Sequence, residues 1–135
     1  MTFIDASAMV AILTREPDAD ALIATLEKAR EPITSPIAVF EAALGVSRKR
    51  RARLEVAQED VHEFLEMAKI RTMPITEKET GLALAAFGRY GKGRGHPARL
   101  NLGDCFAYAM AKSYQATLLF KGDDFAKTDI PPAAR

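Results

Sequence analysis

The stretch NLGDCFAYAMAK, residues 101–112, decides how the rest of the chain is interpreted. Apolar residues surround it on nearly every side, which predicts a helix that begins near Asn101 and is buried in a small domain. Asp104 would lie in the first turn of that helix. Two explanations are open, because Asn101 could cap the helix with Asp104 favouring its dipole, or Asp104 could be buried beside a cation.

Composition places the chain among ordinary globular proteins. Its 135 residues predict a single domain, residues 1–135, with 48% hydrophobic residues and a formal net charge of +1. A nucleic-acid partner would therefore be held by a local basic patch. No apolar run approaches the ~20 residues of a membrane helix, the N-terminus lacks signal-peptide features, and the single Cys105 cannot form an internal disulfide. We expect a cytoplasmic protein with no membrane partner.

Short apolar segments alternate with helical patterns along the chain. Strands are predicted at 2–5, 33–36, 69–75 and 116–122, and helices at 7–14, 18–29, 36–50, 54–68, 77–90 and from about 101 onward. Residues 91–100, GKGRGHPARL, contain three glycines and a proline without periodicity and predict a loop. This alternation favours an α/β fold, a three-layer α/β/α sandwich around a short, mainly parallel sheet.

Three further acids share the unusual setting of Asp104. Asp5 ends the first strand inside the apolar run FIDASAMVAIL, Glu41 is an isolated charge in an apolar helix, and Asp123 follows the last strand. Each has an ordinary alternative, since Asp5 or Ser7 could cap the next helix and Asp123 could be a turn residue. No Lys or Arg in the same helical segments can pair with Glu41 or Asp104, which favours a shared function for the acids.

The predicted topology brings two of these acids to one edge of the sheet. Ligands of parallel α/β sheets bind at the carboxyl ends of the strands, where Asp5 and Asp123 both lie. The first turn of the Asp104 helix is expected at the opposite edge unless the preceding loop carries it across. Carboxylates gathered in one cleft repel one another, and the usual remedy is a hard divalent cation, Mg²⁺ or Mn²⁺. Such a cluster serves phosphodiester hydrolysis.

The same motifs carry a resemblance to a known family. The segments FIDASAMVAIL, FEAALGV, LNLGDCFAYAMAK and LLFKGDDFAKTDI together resemble the PIN domain and, within it, the VapC-type toxin ribonucleases of type II toxin–antitoxin pairs. The resemblance implies a Mg²⁺- or Mn²⁺-dependent endoribonuclease that cleaves RNA, is inhibited by a VapB-like antitoxin and commonly forms a homodimer. It places the family's acids at Asp5, Glu41, Asp104 and Asp123, with Asp5 and Asp104 as the direct metal ligands.

The fourth acid has a second candidate in its neighbour. Asp123 and Asp124 stand in tandem, and either carboxylate could face the site. We favour Asp123, because Asp124 precedes the predicted core residue Phe125 and would then point to solvent.

Basic residues near the acids are candidates for binding the RNA backbone. Lys92, Arg94 and Arg99 lie in the glycine-rich loop that leads directly into the Asp104 helix, and we predict that they contact phosphates. The run RKRRAR, residues 48–53, could do the same, although a solvated helix end is the ordinary explanation. A rival hypothesis is a non-catalytic binding module whose acid pocket holds a cation or a basic segment of a partner.

Overall fold

The computed structural model describes residues 1–133. Its strands are β1 (Thr2–Ile4), β2 (Pro32–Thr34), β3 (Arg71–Thr72) and β4 (Thr117–Leu119). Its helices are α1 (Ala6–Leu13), α2 (Ala19–Lys28), α3 (Pro36–Arg50), α4 (Leu54–Met67), α5 (Glu77–Tyr90) and α6 (Leu102–Ser113), and a 3₁₀ turn spans Phe125–Lys127. Every predicted helix and strand is found, and the strands are shorter than predicted.

The four strands form one parallel sheet in the order β3-β2-β1-β4. β1 is central, with Thr2 paired to Pro32 on one side and to Thr117 on the other. Phe3 and Ile4 are completely buried, as expected for a strand covered on both faces. Because all strands run in the same direction, their carboxyl ends share one edge, which we call the carboxyl edge. The predicted α/β class and parallel sheet are confirmed.

The two central strands are short because the residues that follow them begin helices. Asp5 caps α1, and its Oδ2 accepts the N–H of Ser7 at 3.1 Å. Ser35 caps α3, where its Oγ accepts the N–H of Ala38 at 3.1 Å and Pro36 occupies the first turn. The chain therefore turns from strand to helix at the carboxyl edge without an intervening loop.

Helices cover both faces of the sheet, which confirms the three-layer sandwich. Helices α1 to α4 pack against one another, and α5 packs along α6. Gly45 of α3 faces Val10 of α1, and a Cβ at position 45 would lie only 2.6 Å from Val10 Cγ2. Glycine thus permits the close approach of these two helices. Across residues 1–133, no helix has the length and apolarity needed to cross a bilayer.

A buried carboxylate ties the start of α5 to the end of α6. Glu79 is only 3% exposed, and its Oε1 accepts the hydroxyl of Thr76 at 2.6 Å and the N–H of Thr76 at 2.8 Å. Its Oε2 accepts the hydroxyl of Ser113. These hydrogen bonds, from Ser113 first and then from Thr76, lower the pKa of Glu79 to about 2. The ionised form therefore stabilises the packing of α5 on α6.

We predict that Glu79→Gln destabilises the protein by about 2 kcal/mol at pH 7, because a charged acceptor of three hydrogen bonds is lost. The folded pKa of Glu79 lies below the ordinary value of 4.5, so its contribution is complete above that value and declines as the pH falls towards about 2. Urea melts of both proteins at pH 7 and pH 3 should show a smaller difference at pH 3. An equal difference at both pH values would contradict the electrostatic explanation.

Candidate active site

Three of the predicted acids meet at the carboxyl edge. Asp5 follows β1, Glu41 lies in the second turn of α3, and Asp104 lies in the first turn of α6. The Glu41 carboxylate lies directly against the backbone of Gly103, next to Asp104. The expectation that the Asp104 turn lies at the opposite edge is wrong: α6 runs antiparallel to β4, so it ends where β4 begins and starts at the carboxyl edge.

Asp5 is the most buried of the three acids. The residue is only 5% exposed. Its Oδ2 accepts a hydrogen bond from the hydroxyl of Ser7 at 2.6 Å, in addition to the one from the Ser7 N–H. The Ser7 hydroxyl in turn accepts the backbone N–H of Lys121 at 3.0 Å, just after β4. Burial raises the pKa of Asp5 despite the hydrogen bonds from Ser7. The site therefore holds this carboxylate in a setting that disfavours its charge.

Asp104 helps to cap α6, as the first of the two sequence-based explanations predicts, and it is also partly buried near other acids. Its N–H donates to Asn101 Oδ1 at 2.9 Å, while its Oδ2 accepts the N–H of Asn101 at 3.1 Å, so the pair forms a capping box. Burial, followed by the charges of Asp5 and Asp124, raises the pKa of Asp104 to about 6, although the Asn101 hydrogen bond opposes the shift. Oδ2 of Asp104 takes part in the capping box, whereas Oδ1 makes no hydrogen bond within residues 1–133. Oδ1 is therefore free to bind a ligand.

Glu41 is half-buried, and its carboxylate makes no hydrogen bond to any described residue of the protein. Burial first, and then the charges of Asp5 and Asp104, raise the pKa of Glu41 to about 7. The charge of Asp5 thus raises the pKa of both Glu41 and Asp104, as expected for carboxylates that share a cleft.

The fourth acid has two candidates in the loop after β4. Asp123 and Asp124 are both exposed in the loop after β4. The charge of Asp124 contributes to the raised pKa of Asp104, whereas Asp123 makes no such contribution. The backbone carbonyl of Asp123 accepts the N–H of Ala126 at 3.1 Å, which is typical of a turn residue. In this structure Asp124 is thus the better-placed neighbour of Asp104, and the role predicted for Asp123 stays a prediction.

Within the described residues, the acid cluster forms no ion pair with a Lys, Arg or His. Among residues 1–133, none of the ion pairs involves Asp5, Glu41 or Asp104. In the same part of the chain, no group of three or more His, Cys, Asp or Glu side chains is arranged to hold a metal ion. Mg²⁺ needs less than that, because it keeps several waters and is bound through one or two carboxylates together with substrate phosphates. The hard oxygen donors and the uncompensated charge fit such an ion.

The basic loop, which we define as residues 91–100, leads directly into this site. Its base is closed by two backbone hydrogen bonds of 2.8 Å, from Leu100 N–H to the Tyr90 carbonyl and from Lys92 N–H to the Leu100 carbonyl. Lys92, Arg94 and Arg99 are exposed, and in the described residues none of them forms an ion pair. They are available for an anionic ligand.

The run RKRRAR, in contrast, is largely occupied by contacts within the protein. Lys49 pairs with Glu16 at 2.8 Å, and Arg50 pairs with Asp60 at 2.9 Å. Arg53 pairs with Glu55. This run lies at the far end of α3 from Glu41, which supports the ordinary explanation of a helix end.

Sequence reasoning missed the part played by Gly103. A glycine inside a helix is a poor helix former, so its presence next to Asp104 was a signal of close approach. The partner in that approach, the Glu41 carboxylate, is 62 positions away in sequence and could not be found from local pattern.

Comparisons with known proteins agree with this architecture. Residues 2–131 match the PIN domain family. A VapC ribonuclease of Rhizobium meliloti is 41% identical over 96% of this chain and 99% of its own length, and Ribonuclease VapC28 of Mycobacterium tuberculosis is 37% identical over 96% of both chains. The crystal structure of M. tuberculosis VapC20, a sarcin–ricin loop cleaving toxin, superposes with a TM-score of 0.76 at 18% identity over 96% of both chains. A toxin–antitoxin complex from Klebsiella pneumoniae gives a TM-score of 0.66 at 15% identity, covering 93% of this chain and 91% of that one. The chain therefore belongs to the PIN domain family and, within it, to the VapC-type ribonucleases.

Proposed function

We propose that this protein is the toxin of a type II toxin–antitoxin pair and acts in the cytoplasm as a Mg²⁺- or Mn²⁺-dependent endoribonuclease. The observation that carries the proposal is the convergence of Asp5, Glu41 and Asp104, which have raised pKa values and form no ion pair within residues 1–133. The names of its close relatives as ribonucleases support the reaction class. When bound, the metal would lower the pKa of a water and neutralise charge on the scissile phosphate.

Each acid has a role that follows from its setting. Asp5 and Asp104 would hold the metal, since Asp5 is fixed by Ser7 and Asp104 keeps Oδ1 free. Glu41 is free of hydrogen bonds, and its pKa near 7 suits a group that accepts a proton from the attacking water. An acid after β4, Asp123 or the closer Asp124, would complete the cluster. Attack by water leaves no covalent intermediate on the protein.

The partners follow from the same charges. A VapB-like antitoxin would neutralise the site with an Arg or Lys that competes with the metal for the carboxylates. RNA would be held by Lys92, Arg94 and Arg99 on the basic loop, which are exposed and free of ion pairs in residues 1–133. We also propose that the toxin forms a homodimer, as its family commonly does.

The direct test of the function is incubation of the purified protein with total RNA in Mn²⁺ or Mg²⁺, with and without EDTA. We expect cleavage that requires metal and that falls at least about 100-fold in Asp5→Asn, because a ligand and its charge are lost. Sequencing of the product ends would give the cleavage site. If metal binds but no class of RNA is cut, the protein is instead a binding module whose acid pocket holds a cation or a basic segment.

Removal of the Asp104 charge should stabilise the metal-free protein. The folded pKa of about 6 lies above the ordinary 3.8, so ionisation of Asp104 weakens the fold as the pH rises through this window. We expect Asp104→Asn to be more stable in EDTA at pH 8 by an amount on the order of 1 kcal/mol. Mg²⁺ at about 100 times its Kd should stabilise the wild type by ~2.7 kcal/mol and the variant far less. Thermal melts with EDTA and with Mg²⁺ measure both effects; a less stable variant that still responds to Mg²⁺ would leave Asp104 as a capping residue only.

The basic loop has its own prediction. Replacement of Lys92, Arg94 and Arg99 by Ala should weaken binding of single-stranded RNA and reduce the slope of log K against log salt by about 2. The matched control replaces Arg30, Lys69 and Arg71, three exposed cations that lie just before or at the start of β2 and β3, at the other edge of the sheet. Binding to catalytically inactive Asp5→Asn protein is measured at several salt concentrations. An unchanged slope in the loop variant would remove these residues from the RNA interface.

A further inference from the structure

Gly103 occupies a position in α6 where any side chain would collide with the active site. It is buried, and a Cβ built on its backbone would overlap both carboxylate oxygens and the carboxyl carbon of Glu41. The two glycines inside α5 are different, since a Cβ at Gly81 or Gly88 would meet no atom within 4 Å. Gly45 of α3 is crowded too, but by the apolar side chain of Val10. Among these four glycines, only at Gly103 would a Cβ collide with a carboxylate of the acid cluster.

The effect of a side chain at position 103 depends on which atoms its Cβ would meet. They belong to the far end of a flexible side chain, so the Glu41 carboxylate can move aside while the backbones of α3 and α6 stay in place. A methyl group at 103 would thus displace the carboxylate more readily than it would unfold the protein. In the present arrangement that carboxylate lies close enough to Asp5 and Asp104 for their charges to act on it.

We propose that Gly103 is a positioning residue that acts through Glu41. The missing side chain leaves a recess on the first turn of α6, and the Glu41 carboxylate fills this recess, which holds it beside Asp5 and Asp104. This inference rests on the proposed ribonuclease function only for its kinetic consequence. The placement of the carboxylate itself is a geometric claim and can be measured separately.

The first test is Gly103→Ala, compared with Gly81→Ala as the matched control. A misplacement of about 1 Å at a reacting group lowers the rate by as much as ~100-fold, so we expect kcat of Gly103→Ala for RNA cleavage in Mn²⁺ to fall between about 10- and 100-fold. KM should change little, because RNA contacts lie elsewhere. Gly81→Ala should retain wild-type kcat and KM. Equal kinetics for wild type and Gly103→Ala would overturn the proposal.

A double mutant separates positioning from a general disturbance of α6. Glu41→Asp withdraws the carboxylate by one methylene and vacates the recess, so adding Gly103→Ala to this variant should lower kcat by less than about 3-fold more. A loss of the same factor in both backgrounds would show that the methyl group acts on something other than Glu41. If Gly103→Ala lowers the melting temperature, Glu41→Asp should restore it; failure to do so would also overturn the inference.

Crystal structures of the wild type and of Gly103→Ala, both without metal, give a result that is independent of activity. The Glu41 carboxylate should be shifted by about 1 Å or more in the variant, to ordinary van der Waals contact with the new methyl group, while Asp5 and Asp104 stay in place. An unmoved carboxylate contradicts the proposal. If wild-type protein cleaves no RNA while the shift is observed, the proposed function fails and the positioning of Glu41 by Gly103 stands.

Discussion

The burial of three carboxylates in one cleft at the carboxyl edge is the constraint on which this structure depends. Asp5, Glu41 and Asp104 come from three different elements, and each has a pKa raised first by burial. A fold selected only for stability would pair such groups with cations or replace them, since unpaired buried charge is costly. The protein instead holds Asp5 with the hydroxyl of Ser7 and Asp104 with the backbone N–H of Asn101, and these donors orient the two carboxylates without neutralising them. The arrangement retains a local charge that only a ligand can offset.

Much of this fold could be predicted from the sequence, because the patterns that indicate a helix or a strand lie within the segment that forms it. The spacing of apolar residues predicted each helix and strand. The capping pair Asn101 and Asp104 could be recognised because the two residues are three positions apart. Sequence reasoning also named the three acids that converge. It misplaced the start of α6, because the edge at which a helix begins depends on its direction relative to β4. The choice between Asp123 and Asp124 and the contact of Gly103 with Glu41 depend on loop course and helix packing, which no spacing rule contains.

Asp104 illustrates why ordinary and functional explanations need not exclude each other. One carboxylate oxygen completes the capping box and the other points away from it. The cap fixes the orientation of the Asp104 side chain. Its hydrogen bond from the Asn101 N–H also opposes the rise in the Asp104 pKa that burial causes. A helix start is therefore both a structural element and a rigid support for a ligand atom, as functional sites require.

The hydrogen bond from the Lys121 backbone to Ser7, together with the pairing of β4 beside β1, makes the site a product of both ends of the chain. Residues 5, 41, 104 and 121 are brought together only by contacts of long sequence separation, and such contacts slow folding. During synthesis, N-terminal segments emerge first, at about 5–20 residues per second. Asp5 then lacks both α6 and β4 until synthesis has passed residue 119. A nascent chain that ends before α6 therefore lacks Asp104, and one that ends before β4 also lacks the backbone donor of Lys121 that holds Ser7 beside Asp5.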